Sequence, residues 1–478
     1  MNVTKSIYYI VSAIIFLTII SFSCSNVERR NYNSIDNNEI IITEQLSYAE
    51  EMRLASLFSG NKVEKIDKLL DMYRTRFRFH GNVLVGYNGM LIYNRAFGTS
   101  DFVDNTPMDI DCVFQLASVS KQFTAMSVML LVQDGLLNVT DTIKNIIPEF
   151  PYEKVTIEQL LHHTGGMPNY MWLLEHKWQK GKKAYNDDII TLMNENETPR
   201  YFRPGSRYDY SNTGYAILAY IVEYVSGVSF PDFVAQRIFK PLQMNNSFVY
   251  SSAFDKKYPE RLHGHYRRWR RYNVIKETVH DGIVGDKGVF STTGDLYKWD
   301  QALYSDVLIS DTLRKAAFTP VKVRGRYEYP YGYGFRLKKV DGKQVVYHTG
   351  LWEGFRTNLM RYVETGNTII VLNHTNINVN NIMVKRIENI LAEPNKVTNT
   401  QKIVSISIKE GCDKALGYFY KISKSDNNFV DINKILESAE LLTLMGKPQL
   451  SGVLIKVYEN IVSSISFKEK VELMKNVV

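Results

Sequence analysis

Residues 82–97, NVLVGYNGMLIYNRAF, carry the reading of the fold. Two apolar, β-branched and aromatic runs, 82–87 and 90–97, flank Asn88-Gly89. That pair suits a type I′ turn, where both central residues need positive φ, so the stretch predicts an antiparallel hairpin. A second hairpin is predicted near the other end of the segment. Residues 356–363 and 368–373 flank Glu364-Thr365-Gly366-Asn367, and a further strand signal, 344–348, precedes them. Between the hairpins the period changes. Apolar residues at helical spacing follow Ser118 through Phe123, Met126, Met129 and Leu130, and stop at Gly135. Residues 214–225, GYAILAYIVEYV, form another helix, led in by Ser211-Asn212-Thr213. Strands first, helices in the middle and strands last make an α+β fold. The expected unit is one antiparallel sheet built from both ends of the segment, flanked by helices, with a helical insert over about 156–275.

Outside this unit the signals differ. Val63, Ile66, Leu70 and Tyr73 open it at helical spacing, which sets its expected span at 62–395. Residues 24–61 are polar and weakly periodic and read as a tether, with a short helix at 44–58. Lys5 and the apolar run 7–20 have signal-peptide length, short of the roughly 20 residues of a spanning helix, so 1–23 is expected to be a signal peptide. Ser23-Cys24 resembles a bacterial lipobox, which makes Cys24 the expected lipidation site, although Ser21 stands where Leu is usual. The expectation is a protein anchored through lipid in the bacterial cell envelope, on the periplasmic or outer surface. A secreted or periplasmic soluble form and an uncleaved anchor are the alternatives. Residues 396–478 read as a small C-terminal helical hairpin, 430–445 and 449–462, joined through Gly446-Lys447-Pro448.

Composition narrows the class. The 478 residues are 45% hydrophobic, 23% charged and 12% aromatic, which excludes a wholly disordered, collagen-like or coiled-coil chain. With one long apolar run, a polytopic membrane protein is excluded too. Net charge is +8, but the basic residues are dispersed. The one dense cluster, Arg267-Arg268-Trp269-Arg270-Arg271, reads as a solvated or phospholipid-facing loop, and no nucleic-acid partner is expected. Cys24, Cys112 and Cys412 form no CxxC pair, so neither a zinc knuckle nor a redox motif is present.

Three short motifs bear chemistry. In Ser118-Val119-Ser120-Lys121 the serine precedes a helix, and the lysine lies one turn on, on the same face. Such a lysine can take the serine proton if burial and cationic neighbours lower its pKa, and free N–H groups at the helix start can hold an oxyanion. In Tyr210-Ser211-Asn212, residues i and i+2 of an extended segment present a phenol and an amide to one site. A phenol near an ammonium is pushed toward phenolate, so Tyr210 is a candidate base. The bland reading of the same triplet is a helix cap. His348-Thr349-Gly350 ends a strand, where glycine admits a close neighbour and the Leu351 N–H offers a second oxyanion donor.

Taken together and in this order, the three motifs resemble those of the serine β-lactamase and penicillin-binding protein superfamily. The closer likeness is to its class C-like branch of β-lactamase-related serine hydrolases, with D-aminopeptidases, DD-peptidases and esterases. TIEQLLHHTGGMP at 156–168, Phe202-Arg203-Pro204-Gly205, Gly288-Val289-Phe290-Ser291-Thr292-Thr293 and Tyr331-Gly332-Tyr333-Gly334 carry the likeness further, over about 62–395. The resemblance implies a β-lactamase/transpeptidase-like fold. It makes Ser118 an acylated nucleophile, with Lys121 and Tyr210 sharing proton transfer and Tyr210 able to protonate the leaving group. Asn212, His348, Thr349, Gly350 and Leu351 would bind substrate, and the Ser118 and Leu351 N–H groups would form the oxyanion hole. No metal or cofactor is implied. The implied substrate is a small peptide, D-amino-acid amide or ester, with the cell wall as one source. Oligomeric state is left open. His348 stands where β-lactamases of this type carry Lys, which implies weak or no antibiotic hydrolysis. Tyr331 and Tyr333 are expected along the cleft. The alternative is a penicillin- or peptidoglycan-binding lipoprotein with little catalysis.

Overall fold

A computed structural model describes residues 44–464, except 180, 253–260, 396 and 424–428. The expected signal peptide and Cys24 lie outside the described residues. The chain divides into two compact units, Ser47–Asn395 and a second one containing Lys396–Val478 and the N-terminal residues up to Leu46.

The larger unit is organised on a six-stranded antiparallel sheet. Its strands are β1 (Gly81–Tyr87), β2 (Met90–Phe97), β3 (Arg336–Val340), β4 (Lys343–Trp352), β5 (Phe355–Tyr362) and β6 (Asn367–Asn373), in the spatial order β3-β4-β5-β6-β1-β2. The first and last strands of the chain therefore meet at the β1–β6 seam, with Val83 opposite Val371 and Val85 opposite Ile369. Every residue of β1 is buried, so both faces of the sheet are covered there, as expected for a strand that reads as a nearly continuous apolar run. Asn88 and Gly89 hold φ of +50° and +81°, the two positive values that a type I′ turn requires.

Helices pack around this sheet. They include α1 (Tyr48–Ser59), α2 (Lys62–Phe77), α3 (Lys121–Gln133), α4 (Asn212–Ser226) and α5 (Asn380–Ala392). Helix α1 was expected within a tether. It belongs to the sheet unit instead, because Leu54, Ala55 and Phe58 are fully buried and Glu51 accepts the Leu91 N–H of β2. Ser47 caps it in a capping box with Glu50. Helices α3 and α4 are apolar nearly all round and pack against each other in the core. The insert is helical only in its first part. Strand Phe248–Val249 and a hairpin, His265–Arg268 with Arg271–Val274, occupy its end.

The second unit is more than a helical hairpin. Four helices pack together: α6 (Thr398–Glu410), α7 (Cys412–Ile422), α8 (Ile432–Leu444) and α9 (Pro448–Ser464). The expected pair appears as α8 and α9. Pro448 opens α9, and the Glu44 carboxylate accepts the Gln449 and Leu450 N–H groups there, satisfying two donors that a helix start leaves orphaned.

One buried ion pair stitches the sheet to a helix of the larger unit. Arg361 of β5 donates through Nε to Asp300 at 2.6 Å, and both side chains are within 1% of full burial. Thr368 of β6 donates to the other carboxylate oxygen at 2.6 Å. Removing one partner strands a buried charge, so Asp300→Ala is expected to cost about 3–5 kcal/mol. A fall in the urea midpoint with an unchanged slope checks this.

Candidate active site

The three sequence motifs converge on one cleft. Ser118 lies in a 3-10 turn, Ala117–Ser120, that runs straight into α3. Ala117, fully buried, holds φ of +49°, a left-handed conformation that costs a residue with a Cβ roughly 1–2 kcal/mol. The strain lifts Ser118 out of the regular helix. Ser120 pins the turn from beneath by accepting the Val289 N–H at 3.0 Å.

Lys121 opens α3 and is fully buried. Its Nζ lies 3.2 Å from Ser118 Oγ, 2.8 Å from Asn212 Oδ1 and 2.8 Å from the Asp286 backbone carbonyl. None of these three partners is a carboxylate. Burial lowers its pKa to about 7, and the Arg336 guanidinium pushes the same way against the opposing pull of Asp286. A neutral amine has two hydrogens and one lone pair. The two carbonyl oxygens take the hydrogens, which leaves the lone pair for the Ser118 hydroxyl to donate into. That is the arrangement of a general base beside its nucleophile.

Tyr210 and Asn212 come from the start of α4. Ser211 between them is the helix cap, accepting the Gly214 N–H, so the cap and the site readings are both realised by alternate residues. For Tyr210, expected as a base and as an acid to the leaving group, burial bears on the choice. Its hydroxyl is buried, and burial raises its pKa to about 12 although Ser118 and Arg336 draw it down. It is therefore a phenol, an acid rather than a base. Asn212 spends its carbonyl on Lys121, while its amide nitrogen has only a 4.0 Å contact with Met171 Sδ and keeps its hydrogens for a substrate oxygen.

Strand β4 forms the opposite wall. A Cβ at Gly350 would stand 2.2 Å from the Leu116 carbonyl oxygen and 2.2 Å from Thr357 Oγ1, so the close approach of β4 to the Ser118 turn requires glycine here. Thr349, Gly350 and Leu351 line the cleft of about 330 Å³ that holds Ser118 and Tyr210. His348 does not line it. Its side chain is fully buried, with Nδ1 2.7 Å from the Thr349 carbonyl and Nε2 3.1 Å from Tyr331 Oη. Nδ1 thus carries the hydrogen and Nε2 accepts from Tyr331. Burial and the nearby Arg336 and Lys121 hold its pKa well below the usual range, so it is neutral. Of the expected cleft tyrosines, Tyr331 lies beneath the cleft with His348. Tyr333 donates to Glu158 beside a separate cavity of about 620 Å³ that does not contain Ser118.

Two residues were not anticipated. Asp286 supplies a lone backbone carbonyl, which leaves no trace in a sequence. Arg336 lies on β3 opposite Tyr347, and its guanidinium sits 4.9 Å from the Tyr210 ring centroid and lines the Ser118 cleft. Its signal was available in the period-two alternation Arg336-Leu337-Lys338, one polar face of a strand beside the His348 motif.

With this geometry stand the likenesses to known proteins. The Beta-lactamase family model matches residues 67–390, and the chain belongs to that family. It is 36% identical to penicillin-binding protein 4* of Bacillus subtilis, over 66% of this chain and 72% of that one. It is 26% identical to a D-aminopeptidase of Cereibacter sphaeroides, over 65% of this chain and 60% of the other. Among solved structures, a penicillin-binding protein from Bacillus halodurans superposes with a TM-score of 0.59 at 24% identity, covering 68% of this chain and 98% of its own. The D-amino acid amidase of Ochrobactrum anthropi does so with 0.58 at 20% identity, covering 70% and 98%. These two structures share the fold.

The Gly350 approach gives a direct check. Gly350→Ala must push β4 away from the Ser118 turn, and a misplacement of about 1 Å is expected to slow Ser118 labelling by a fluorophosphonate about a hundredfold. Labelling at the wild-type rate would mean that β4 does not position the nucleophile.

Proposed function

We propose that this chain is a serine hydrolase that works through a covalent acyl-enzyme on a peptide, D-amino-acid amide or ester, outside the cytoplasm. The observation that carries the reading is the buried Lys121 amine, held by two carbonyls and turned toward Ser118 Oγ. In the proposed sequence Lys121 accepts the Ser118 proton as Oγ attacks the substrate carbonyl. The Ser118 and Leu351 N–H groups hold the oxyanion, and Asn212 orients the substrate amide. Tyr210, kept protonated by burial, gives its hydrogen to the leaving group. In deacylation water attacks the ester on Ser118 and gives its proton to the Tyr210 phenolate, while Lys121 returns its proton to Ser118 Oγ as the ester bond breaks.

The cleft also suggests which leaving groups fit. Arg336 and Arg356 both line it, together with Asn358 and Asn381. Two guanidiniums beside the nucleophile suit a carboxylate on the substrate, as in a peptide's free C-terminus. The D-aminopeptidase and penicillin-binding relatives support a D-amino-acid substrate. The apolar run 7–20 and Cys24 support export and lipid anchoring. His348, neutral and buried, gives no cation of its own to a β-lactam carboxylate, which supports weak or no antibiotic hydrolysis.

Mass spectrometry after incubation with a fluorophosphonate and a fluorescent penicillin tests the reading. An adduct that disappears in Ser118→Ala is expected, and no adduct from either probe on folded protein would leave only a binding role. The acylation rate should rise with pH as Lys121 loses its proton through about pH 7 and then level off. Lys121→Arg, which stays protonated, should abolish that rise. Arg336→Gln should raise KM about tenfold for substrates with a free carboxylate, the value of one charged hydrogen bond. Esters without a carboxylate should be little affected in KM.

A further inference from the structure

We propose that the hairpin formed by His265–Arg268 and Arg271–Val274 is an interfacial anchor that seats the larger unit on an anionic phospholipid surface, with the Ser118 cleft beside that surface. Trp269 is at its tip and is 87% exposed. Its φ is +58°, a left-handed conformation that is an outlier for a bulky side chain and that Gly or Asn would adopt without strain. The indole thus contributes no burial to the fold and fits its turn poorly. What an exposed indole does well is sit at the boundary between headgroups and acyl chains.

The surroundings match such a surface. Arg268, Arg270 and Arg271 are exposed and Arg267 is partly so, and no acidic residue occurs between 265 and 276. Four guanidiniums around one indole pair an apolar wedge with charges that bind lipid phosphates. Tyr266 and Val274 are 41% and 47% exposed along the same strands. Phe102 stacks on Tyr272 at 3.9 Å, and Val103, the next residue, is 82% exposed. In that neighbouring loop the exposed carboxylate of Asp101 accepts the Val103 N–H at 2.6 Å, and Asp104 is exposed beside it, so the four arginines outnumber two carboxylates on this face. A nucleic acid would be met by the same charges, but a strained lone indole at the apex favours insertion into a lipid interface.

The hairpin is rooted in the wall of the cleft. The His265 N–H donates to the His374 carbonyl at 2.8 Å, and the Arg267 N–H donates to Asn376 Oδ1 at 2.8 Å. Asn376 in turn accepts from Arg356 Nε at 3.2 Å through its carbonyl, and Arg356 lines the Ser118 cleft. On the other side, Gly264 packs so tightly on the Glu353 carbonyl that a Cβ there would lie 1.7 Å from its oxygen, two residues past Leu351. A bilayer engaged by Trp269 therefore lies close to the oxyanion strand, and the substrates presented there are those held at or near the membrane.

The test uses the full chain incorporated in vesicles, with tryptophan fluorescence read against brominated phosphatidylglycerol or brominated phosphatidylcholine. A quenched component is expected with the anionic lipid, weakened by salt, and absent from Trp269→Ser. Replacing Arg268, Arg270 and Arg271 together by Gln should reduce it about tenfold or more. Because these three side chains are exposed, circular dichroism and the unfolding midpoint should stay at wild-type values, which separates loss of contact from loss of fold. Equal quenching in Trp269→Ser, or equal quenching by the zwitterionic lipid, would overturn the proposal. So would retention of a short DNA duplex at physiological salt with no lipid quenching. None of these outcomes depends on Ser118 being a nucleophile.

Discussion

The site rests on one buried amine whose hydrogen-bond partners are carbonyls and a hydroxyl, not a carboxylate. Taking a lysine fully out of water is costly unless it gives up its proton or finds a carboxylate, and Lys121 is met by carbonyls. Three segments are fixed by satisfying it. Asn212 ties the start of α4 to α3, and Asp286 brings in the loop before Val289. Thr124, one turn further along α3, reinforces that loop by donating to the Gly285 carbonyl at 2.7 Å. A chain that merely needed a stable core would place an apolar residue at this position. The structure instead retains an amine whose two hydrogens are already spoken for and whose lone pair has one place to go.

Charge around that amine is arranged to keep it so. Tyr210 and His348 both lie beside it. A cation nearby favours phenolate at Tyr210 but the neutral ring at His348, and burial favours the neutral form of both. The Tyr210 hydroxyl is raised to about 12, and His348 is held neutral by its desolvated pocket and by the neighbouring Arg336. A guanidinium of the site comes from Arg336 on β3, 4.9 Å from the Tyr210 ring centroid. That cation stands on the strand paired with β4 and not at position 348 itself. The ring at 348 becomes a hydrogen-bonded spacer, accepting from Tyr331 beneath Tyr210.

Most of the fold was legible because it is local. The Asn88-Gly89 turn, the helix after Ser118 and the helix after Ser211 each announce themselves within a dozen residues. The grouping of Ser118, Lys121 and Tyr210 in one cleft was legible only jointly, since each motif alone reads equally well as a cap or a turn. What escaped was decided at long range. Helix α1 looks like a polar tether until β2 covers Leu54 and Phe58. Helix α6, TNTQKIVSISIKE, is rich in Ser, Thr and β-branched residues that favour other states, and packing of Ile403 and Val404 overrides that preference. The choice between base and acid at Tyr210 likewise turns on long-range packing, because proximity to an ammonium can be read from spacing but the depth of a hydroxyl cannot.

Strand β4 joins these features into one device. Near its C-terminal end, Gly350 presses on the Ser118 turn so closely that no side chain fits between them. The same end runs through Leu351 and Trp352 into the turn at Glu353-Gly354, where Glu353 has φ of +44° and Gly354 packs against the His265 backbone. A strand end held at two points four residues apart cannot shift at one without disturbing the other. Whatever steadies the arginine-rich hairpin therefore also steadies the N–H of Leu351. The two Cβ-free contacts, at Gly350 and Gly354, are the points through which the position of the molecule's surface is set against the position of its nucleophile.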